Sequence, residues 1–128
     1  MRLLLDTHAF LWFLLDDPQL SMKGEALIGD STNDILVSPA TLWEIAIKIS
    51  IGKYSLPEPF ATFMERELAI NGFEILHISV RHTELVSSLP FHHKDPFDRM
   101  LVAQSMGEQV PILSVDDALD DYGIDRLW

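Results

Sequence analysis

The chain contains no cysteine among its 128 residues. This absence excludes disulfide bonds, thiol catalysis and any zinc site built from thiolate ligands. Any metal ion must therefore be bound by oxygen atoms or by imidazole.

Long apolar runs are also absent. The longest unbroken run, Ala9 to Leu15, is far shorter than the roughly 20 residues that a helix needs to cross a bilayer. Near the start of the chain, Asp6 and His8 interrupt the apolar segment before it reaches the roughly 7 to 15 residues of a signal peptide. We therefore expect no membrane association and a cytoplasmic location.

Basic residues are scarce. The sequence has 9 Lys and Arg against 20 Asp and Glu, which gives a formal net charge of −11. A general polyanion binder usually has a basic surface that displaces phosphate counterions, so this balance argues against such a protein. Carboxylates that hold divalent cations would account for part of the negative charge, and the few cations could surround one cleft. The acidic balance weakens a nucleic-acid function without excluding it.

The order of apolar segments predicts an α/β protein. Segments of strand length alternate with segments of helical periodicity, and the chain has no repeat, low-complexity stretch or long linker. This pattern is typical of a mostly parallel sheet covered by helices. Hydrophobic residues make up 48% of the chain, enough for one sizeable core, so we expect a single domain over residues 1–128.

Capping residues, prolines and glycines set the predicted boundaries. Ser38 before Pro39 and Asp95 before Pro96 both have the pattern of an N-cap followed by proline at the first helical position. The predicted strands are Arg2 to Leu5, Ile35 to Val37, Phe73 to Ile78, Val110 to Leu113 and Ile124 to Leu127. The predicted helices begin near Thr7, Met22, Pro39, Pro59, Ser79 and Asp95, and a short helical turn precedes the last strand.

Four acidic residues are predicted to meet at one edge of this sheet. Asp6 follows the first strand, Glu44 lies in the helix after the second, Asp98 is in the first turn of the Asp95-Pro96 helix, and Asp116 follows the fourth strand. Ligands of parallel α/β sheets bind beyond the carboxyl ends of the strands. Crowded carboxylates repel one another unless a cation is held between them. Hard oxygen ligands favour Mg²⁺ or Mn²⁺.

Two of these acids have an equally ordinary structural interpretation. Asp6 could simply cap the first helix. On a helical wheel, Leu42, Ile45, Ala46 and Ile49 form the apolar stripe. Glu44 lies opposite that stripe and four residues before Lys48, the spacing of a surface ion pair.

The other two acids can also be explained without a metal. An acid at the position of Asp98 is favoured by the helix dipole alone. Asp116 or its neighbour Asp117 could be a turn or N-cap residue, and Asp95 is adequately explained as a cap. Only the joint placement of the four acids favours a functional site.

Four stretches of the sequence together resemble a known family. LLLDTHAFLW, SPATLWEIAIK, HHKDPFDRMLVAQ and ILSVDDAL, in this order, are similar to the PIN-domain nucleases, specifically the VapC-type toxins. The resemblance covers almost the whole chain. It implies a single PIN domain with a three-layer α/β/α fold and a central, mainly parallel sheet of about five strands.

The resemblance also implies a function. Asp6, Glu44 and Asp98 correspond to the family's three principal acids and Asp116 to the more variable fourth, although Asp117 leaves that register open. These residues would be both metal ligands and catalytic residues of a Mg²⁺- or Mn²⁺-dependent endoribonuclease, without a protein nucleophile. The implied partners are an RNA substrate, a cognate antitoxin protein and a second copy of the chain in a homodimer.

Further residues are predicted to support this site or its partners. Ser38 and Ser114, at strand ends, are expected to hydrogen-bond the metal ligands or their waters. The cationic or titratable residues nearest the Asp98 motif would contact RNA phosphates, or else lie in a solvated loop: His92, His93, Lys94 and Arg99. A zinc site on the two histidines is not expected, because adjacent side chains of an extended loop point in different directions.

The first helix predicts either a deep core or an interface. The run from Ala9 to Leu15 is apolar all round, which implies burial on every side. Trp12 and Phe13 could therefore lie in the core or contact a second copy or an antitoxin.

Other acidic α/β proteins fit the sequence less well. A phosphorelay receiver domain needs an acceptor Asp after the third strand, and FEILHIS has none. A haloacid-dehalogenase-type enzyme needs Asp-x-Asp after the first strand, whereas this chain has Asp6-Thr7-His8. The remaining alternative is a catalytically inactive PIN-fold module that acts through protein contacts.

Overall fold

Five short strands form the central sheet. The computed structural model describes all residues from 1 to 128. The strands are β1 (Arg2–Leu5), β2 (Asp34–Val37), β3 (Glu74–Ile75), β4 (Ile112–Leu113) and β5 (Arg126–Leu127). Their order across the sheet is β3-β2-β1-β4-β5, and every neighbouring pair is parallel. The predicted mainly parallel sheet of about five strands is confirmed, with β1 at its centre.

Six α-helices and one 3₁₀ helix connect the strands. The α-helices are α1 (Thr7–Leu14), α2 (Met22–Gly29), α3 (Pro39–Ser50), α4 (Phe60–Ile70), α5 (Val80–Ser88) and α6 (Pro96–Glu108), and the 3₁₀ helix is Asp117–Tyr122. The predicted caps are present, because side-chain oxygens of Asp6, Ser38, Ser79 and Asp95 accept backbone N–H groups at the helix starts. None of the helices combines the length and the apolar character needed to span a membrane.

The sheet is covered on both faces. Because side chains alternate along a strand, Leu3 and Leu5 of β1 join one core and Leu4 joins the other. The first core also contains residues of α1 to α4, and the second contains residues of α6 and the 3₁₀ helix, with α5 packed against it. This alternation gives the three-layer α/β/α arrangement and explains the three consecutive leucines of β1.

Three strands are shorter than the sequence predicts. Of the predicted strand Phe73 to Ile78, only Glu74–Ile75 pairs with β2, and the contact ends where the Leu76 N–H donates to the Val37 carbonyl at 2.9 Å. β4 begins at Ile112 because Pro111, which precedes it, has no N–H for the ladder. β5 covers only the last two residues of the predicted Ile124 to Leu127.

The direction in which the chain adds strands reverses at β1, and we call the sheet edge at the carboxyl end of β1 the crevice. The chain extends the sheet from β1 through β2 to β3 and then continues on the opposite side with β4 and β5. Such a reversal is the switch point at which open parallel sheets bind ligands. Asp6 leaves β1 at this point, and its N–H donates to the Leu113 carbonyl of β4 at 3.1 Å.

Candidate metal centre

Asp6 both caps a helix and faces the crevice. It is 4% exposed, and its carboxylate accepts a hydrogen bond from the Ala9 N–H at 2.8 Å through Oδ1. A carboxylate has two oxygens and several lone pairs, so the capping bond leaves Oδ2 for another partner. The capping and ligand interpretations of Asp6 are therefore compatible.

Glu44 is buried, which the helical wheel does not predict. It is 5% exposed, whereas Ala46 of the predicted apolar stripe is exposed. The Thr7 hydroxyl donates to Oε1 at 2.6 Å, and Lys48 Nζ lies 3.0 Å from Oε2. The predicted ion pair with Lys48 is present, but the prediction that Glu44 lies at the surface was wrong. α3 packs against α1 on one side and α6 on another, so this face of the helix is covered.

Asp95 and Asp98 divide two tasks at the start of α6. Asp95 Oδ1 accepts the N–H groups of Phe97 at 2.8 Å and Asp98 at 3.1 Å, so the predicted capping role of Asp95 is confirmed. The carboxylate of Asp98 is 27% exposed, and its Oδ2 lies 3.3 Å from His93 Nε2. Asp98 is thus free to face the crevice while its neighbour satisfies the helix terminus.

Asp116 contacts the same ring nitrogen of His93 as Asp98 does. Its Oδ1 accepts the Ala118 N–H at 3.1 Å, and its Oδ2 lies 2.9 Å from His93 Nε2. Its own N–H donates to Ser114 Oγ at 3.1 Å. Of the two adjacent acids, Asp116 makes this contact, whereas Asp117 begins the 3₁₀ helix.

The hydrogen bonds of His93 fix its tautomer in the neutral ring. Nδ1 accepts the Asp95 N–H at 3.2 Å, so the ring hydrogen lies on Nε2. Nε2 therefore donates toward Asp116, with Asp98 as a second, longer contact. His93 holds the two carboxylates close to each other.

The site consists of one close group, formed by His93, Asp98 and Asp116, and of two more deeply buried acids, Asp6 and Glu44. His93 Nε2 and carboxylate oxygens of Asp98 and Asp116 all lie within 4.8 Å of one another. Because Nε2 carries the ring hydrogen, His93 holds the two carboxylates, and their oxygens are the ligands that this group offers to a small divalent cation. Asp6 and Glu44 lie outside this group but interact electrostatically with Asp98, as Asp6 does with Asp116.

Burial and mutual repulsion disfavour the charged forms of these acids. Burial raises the pKa of Asp6, against hydrogen bonds from Ser114 and Ala9 that lower it. Burial is also the largest cause that raises the pKa of Asp98 to about 7, followed by the charge of Asp95, with smaller contributions from Glu44 and Asp6. A bound divalent cation would oppose both effects.

The supporting serines behave differently from each other. Ser114 is fully buried and hydrogen-bonds Asp116 and Asp6, as expected for a residue that orients the acids. Ser38 instead accepts the Ala40 N–H at 3.1 Å and serves as the cap of α3.

The residues predicted to contact RNA have diverse positions. Arg99 is 6% exposed and donates to the carbonyls of Val86, Leu89 and Pro90, so it is structural and its assignment to RNA was wrong. His92 packs edge-on against Tyr122 while His93 faces the acids, so the two histidines diverge as expected. Lys94 is exposed.

Two contacts in the centre were not predicted from the sequence. Thr7, which follows Asp6 directly, donates to Glu44. His93, predicted to contact RNA, contacts Asp98 and Asp116 instead. The contacts of Thr7 with Glu44 and of His93 with Asp116 join segments that are distant in sequence, so only the fold brings them together.

Comparison with known proteins matches the sequence of this chain to a family. Residues 3–125 match the PIN domain family. A segment of 58 residues is 38% identical to ribonuclease VapC16 of Mycobacterium tuberculosis. That segment is 45% of this chain and spans only 41% of the relative's length.

Solved structures share the fold over nearly the full chain. A crystal structure of VapBC2 from Rickettsia felis, bound to a DNA fragment from its promoter, has a TM-score of 0.74 at 15% identity. The alignment covers 99% of this chain and 98% of the chain in that structure. DNA-bound VapBC from Salmonella typhimurium has a TM-score of 0.71 at 14% identity, with 99% of this chain and 97% of that chain covered.

The raised pKa of Asp98 predicts a pH dependence of stability. Its value of about 7 in the fold exceeds the ordinary 3.8. The folded protein therefore favours the protonated form of Asp98. The contribution of this residue to the free energy of unfolding is fully present below about pH 4 and is lost as the pH rises through about 7. Asp98→Asn should stabilise the EDTA-treated protein at pH 8 by on the order of 1 kcal/mol, less than the full shift implies because the carboxylate is partly exposed.

Urea unfolding at pH 5 and at pH 8 measures this effect. The variant should lose less stability than wild type between the two pH values. Asp30→Asn is the matched control, since Asp30 is exposed and precedes β2 at the opposite end of the sheet. Identical pH dependence in wild type and Asp98→Asn would contradict the assignment.

Proposed function

The chain belongs to the PIN-domain family, and we propose that it is a metal-dependent endoribonuclease that acts as the toxin of a toxin–antitoxin pair. One observation carries this proposal: acids from four distant segments face one crevice at the carboxyl end of the sheet. The similarity to a ribonuclease over 58 residues supports RNA as the substrate.

The donor set favours Mg²⁺ or Mn²⁺. Asp6, Glu44, Asp98 and Asp116 would hold the ion, since carboxylate oxygens are the ligands these cations prefer. Bound there, the cation would lower the pKa of a water for attack on a phosphodiester and would neutralise charge on the phosphate and the leaving oxygen.

The surrounding residues position the acids for this task. Thr7 fixes one oxygen of Glu44, and Lys48 balances the charge on the other. The Ala9 N–H and the Ser114 hydroxyl orient Asp6. His93 holds Asp98 and Asp116 together. Orientation before binding reduces the rearrangement that the reaction requires.

An inactive PIN-fold binding module remains the alternative. Such a module has no requirement for four acids in one crevice, since their crowding lowers the stability of the fold. All four acids are present here, and hydroxyl groups from two further residues, Thr7 and Ser114, orient them. A fold that holds crowded acids in place despite their repulsion favours a catalytic role for them.

The proposed partners are an antitoxin and a second copy of the chain. VapBC2 and the Salmonella VapBC, with which this chain shares its fold, were solved as complexes with DNA. Trp12 and Phe13 of α1 are only partly buried, and both line a cleft with Met22 at its rim. A second cleft beside Trp12 includes Leu15, which is 43% exposed. We assign these clefts to protein contacts.

Asp6→Asn tests the catalytic proposal. Asparagine retains an oxygen that can cap α1, so the fold should persist, while the loss of charge should abolish cleavage. Without metal, the variant should be at least as stable as wild type because repulsion is relieved. Its melting temperature should rise less on addition of Mn²⁺ than that of wild type.

An RNA cleavage assay paired with thermal melts, with and without Mn²⁺, measures all three effects. Asp30→Asn should behave as wild type in each. Full Mn²⁺-dependent cleavage by Asp6→Asn would falsify the mechanism. A cap-only role predicts instead a stability change of up to about 1 kcal/mol with activity intact.

Leu15→Lys tests the partner surface separately from catalysis. A charge placed in the cleft beside Trp12 should weaken association with a co-expressed partner encoded next to this chain, while cleavage by the isolated protein is retained. Val80→Lys, on an equally aliphatic residue that is 85% exposed on α5, is the matched control. Unchanged co-purification of the partner with Leu15→Lys would remove these clefts from the interface.

A further inference from the structure

An exposed aromatic pair lies beside the acidic crevice. Trp43 of α3 and Phe97 of α6 pack edge to face, with ring centroids 5.2 Å apart and planes at 81°. Trp43 is nevertheless 64% exposed. In a perpendicular pair one ring can cover at most one face of the other, so at least one face of the indole is open to solvent.

The position of this pair ties it to the acids. Trp43 directly precedes Glu44, and Phe97 directly precedes Asp98, so the Cα atom of each aromatic residue lies about 3.8 Å from that of a proposed ligand. Glu44 and Asp98 in turn interact electrostatically across the packed helices. A nucleic-acid strand with a phosphate at the acids would have its neighbouring base within reach of the indole.

Core packing does not explain the exposure of Trp43. The other two tryptophans, Trp12 and Trp128, contact each other and pack against the hydrophobic core. Trp43 instead contacts Phe97 and leaves most of its surface exposed. The adjacent Ile45 is fully buried and anchors α3, so the helix does not require an apolar side chain at position 43.

Four of the basic residues of this protein are occupied by contacts away from any RNA. Arg99 is buried against backbone carbonyls. Arg66 pairs with Glu58, Arg126 pairs with Asp120, and Lys48 pairs with Glu44. Four of nine basic residues are therefore already engaged, in a chain with a net charge of −11. The other five basic residues stand in a strongly acidic chain, so contacts to phosphates can supply only part of any affinity for RNA.

We propose that Trp43, steadied by Phe97, is a stacking platform for one unpaired base of the RNA. The inference rests on the proposed ribonuclease function and specifies its substrate as a single-stranded segment. A base within a duplex already has both faces stacked and cannot reach the indole, whereas an unpaired base can stack on an aromatic side chain. Stacking supplies the affinity that a basic groove supplies in other nucleases.

The binding of a non-self-complementary heptaribonucleotide tests the platform. Fluorescence anisotropy of the labelled strand, with Ca²⁺ in place of Mg²⁺, gives Kd without relying on cleavage. Trp43→Ala should raise Kd by about 5- to 150-fold, the usual loss for one stacked base. Trp43→Phe should restore most of the affinity. Val80→Ala, which removes an apolar side chain that is 85% exposed on α5, should have no effect.

Two further measurements distinguish stacking from a structural role. Binding should quench tryptophan emission in wild type, and the quenching should disappear in Trp43→Phe although that variant still binds. The slope of log Kd against log salt should correspond to no more than about two released counterions, near 0.7 for each phosphate contact on a single strand. A hairpin with the heptamer sequence in its stem should bind weakly, with a Kd that Trp43→Ala does not change.

The outcomes separate this inference from the proposed function. Equal Kd values for wild type and Trp43→Ala overturn the platform, even if Asp6→Asn abolishes cleavage as expected. If Trp43→Ala abolishes binding of a protein partner but leaves RNA binding unchanged, the surface around Trp43 belongs to that protein, and the proposed platform is also overturned. Weakened binding by Trp43→Ala in a protein that cleaves no RNA would support the platform and refute the nuclease. A wild-type protein that binds no RNA refutes both.

Discussion

Repulsion among buried carboxylates is the constraint on which the rest of this structure depends. Asp6 and Glu44 are almost fully buried, and Asp98 and Asp116 lie close enough to share one imidazole nitrogen. Such crowding lowers the stability of the fold and is tolerated where the acids have partners. Each acid here has at least one: an amide, a hydroxyl, an ammonium or the His93 ring. The partners hold the acids in place without neutralising the whole cluster.

The sheet makes this crowding geometrically unavoidable. β1 is the central strand, and its carboxyl end lies between β2 and β4, so the segments that follow all three strands start from one edge. The caps at Asp6, Ser38 and Asp116 begin their helices there. Residues that terminate strands and start helices are thereby brought to the crevice. The same local structure that caps a helix also presents a second carboxylate oxygen to a ligand.

Much of this arrangement could be predicted from the sequence because it follows from local rules. The alternating burial of Leu3, Leu4 and Leu5 and the Asp95-Pro96 cap depend on nearest neighbours along the chain. Glu44 could not be placed correctly, because its burial depends on how α3 packs against both α1 and α6. Arg99 was misassigned for a similar reason. The carbonyls of Val86, Leu89 and Pro90, to which it donates, lie 9 to 13 residues away in the last turn of α5 and just beyond it, and no periodicity of the sequence reveals this contact.

If these acids bind a divalent cation in one crevice, the ion should be visible by anomalous diffraction from crystals soaked in Mn²⁺. We expect a manganese peak with oxygens of Asp98 and Asp116 at roughly 2.0 to 2.6 Å, and with Asp6 and Glu44 bound directly or through water. A peak distant from all four carboxylates, or no peak at millimolar Mn²⁺, would contradict a metal site built from these acids.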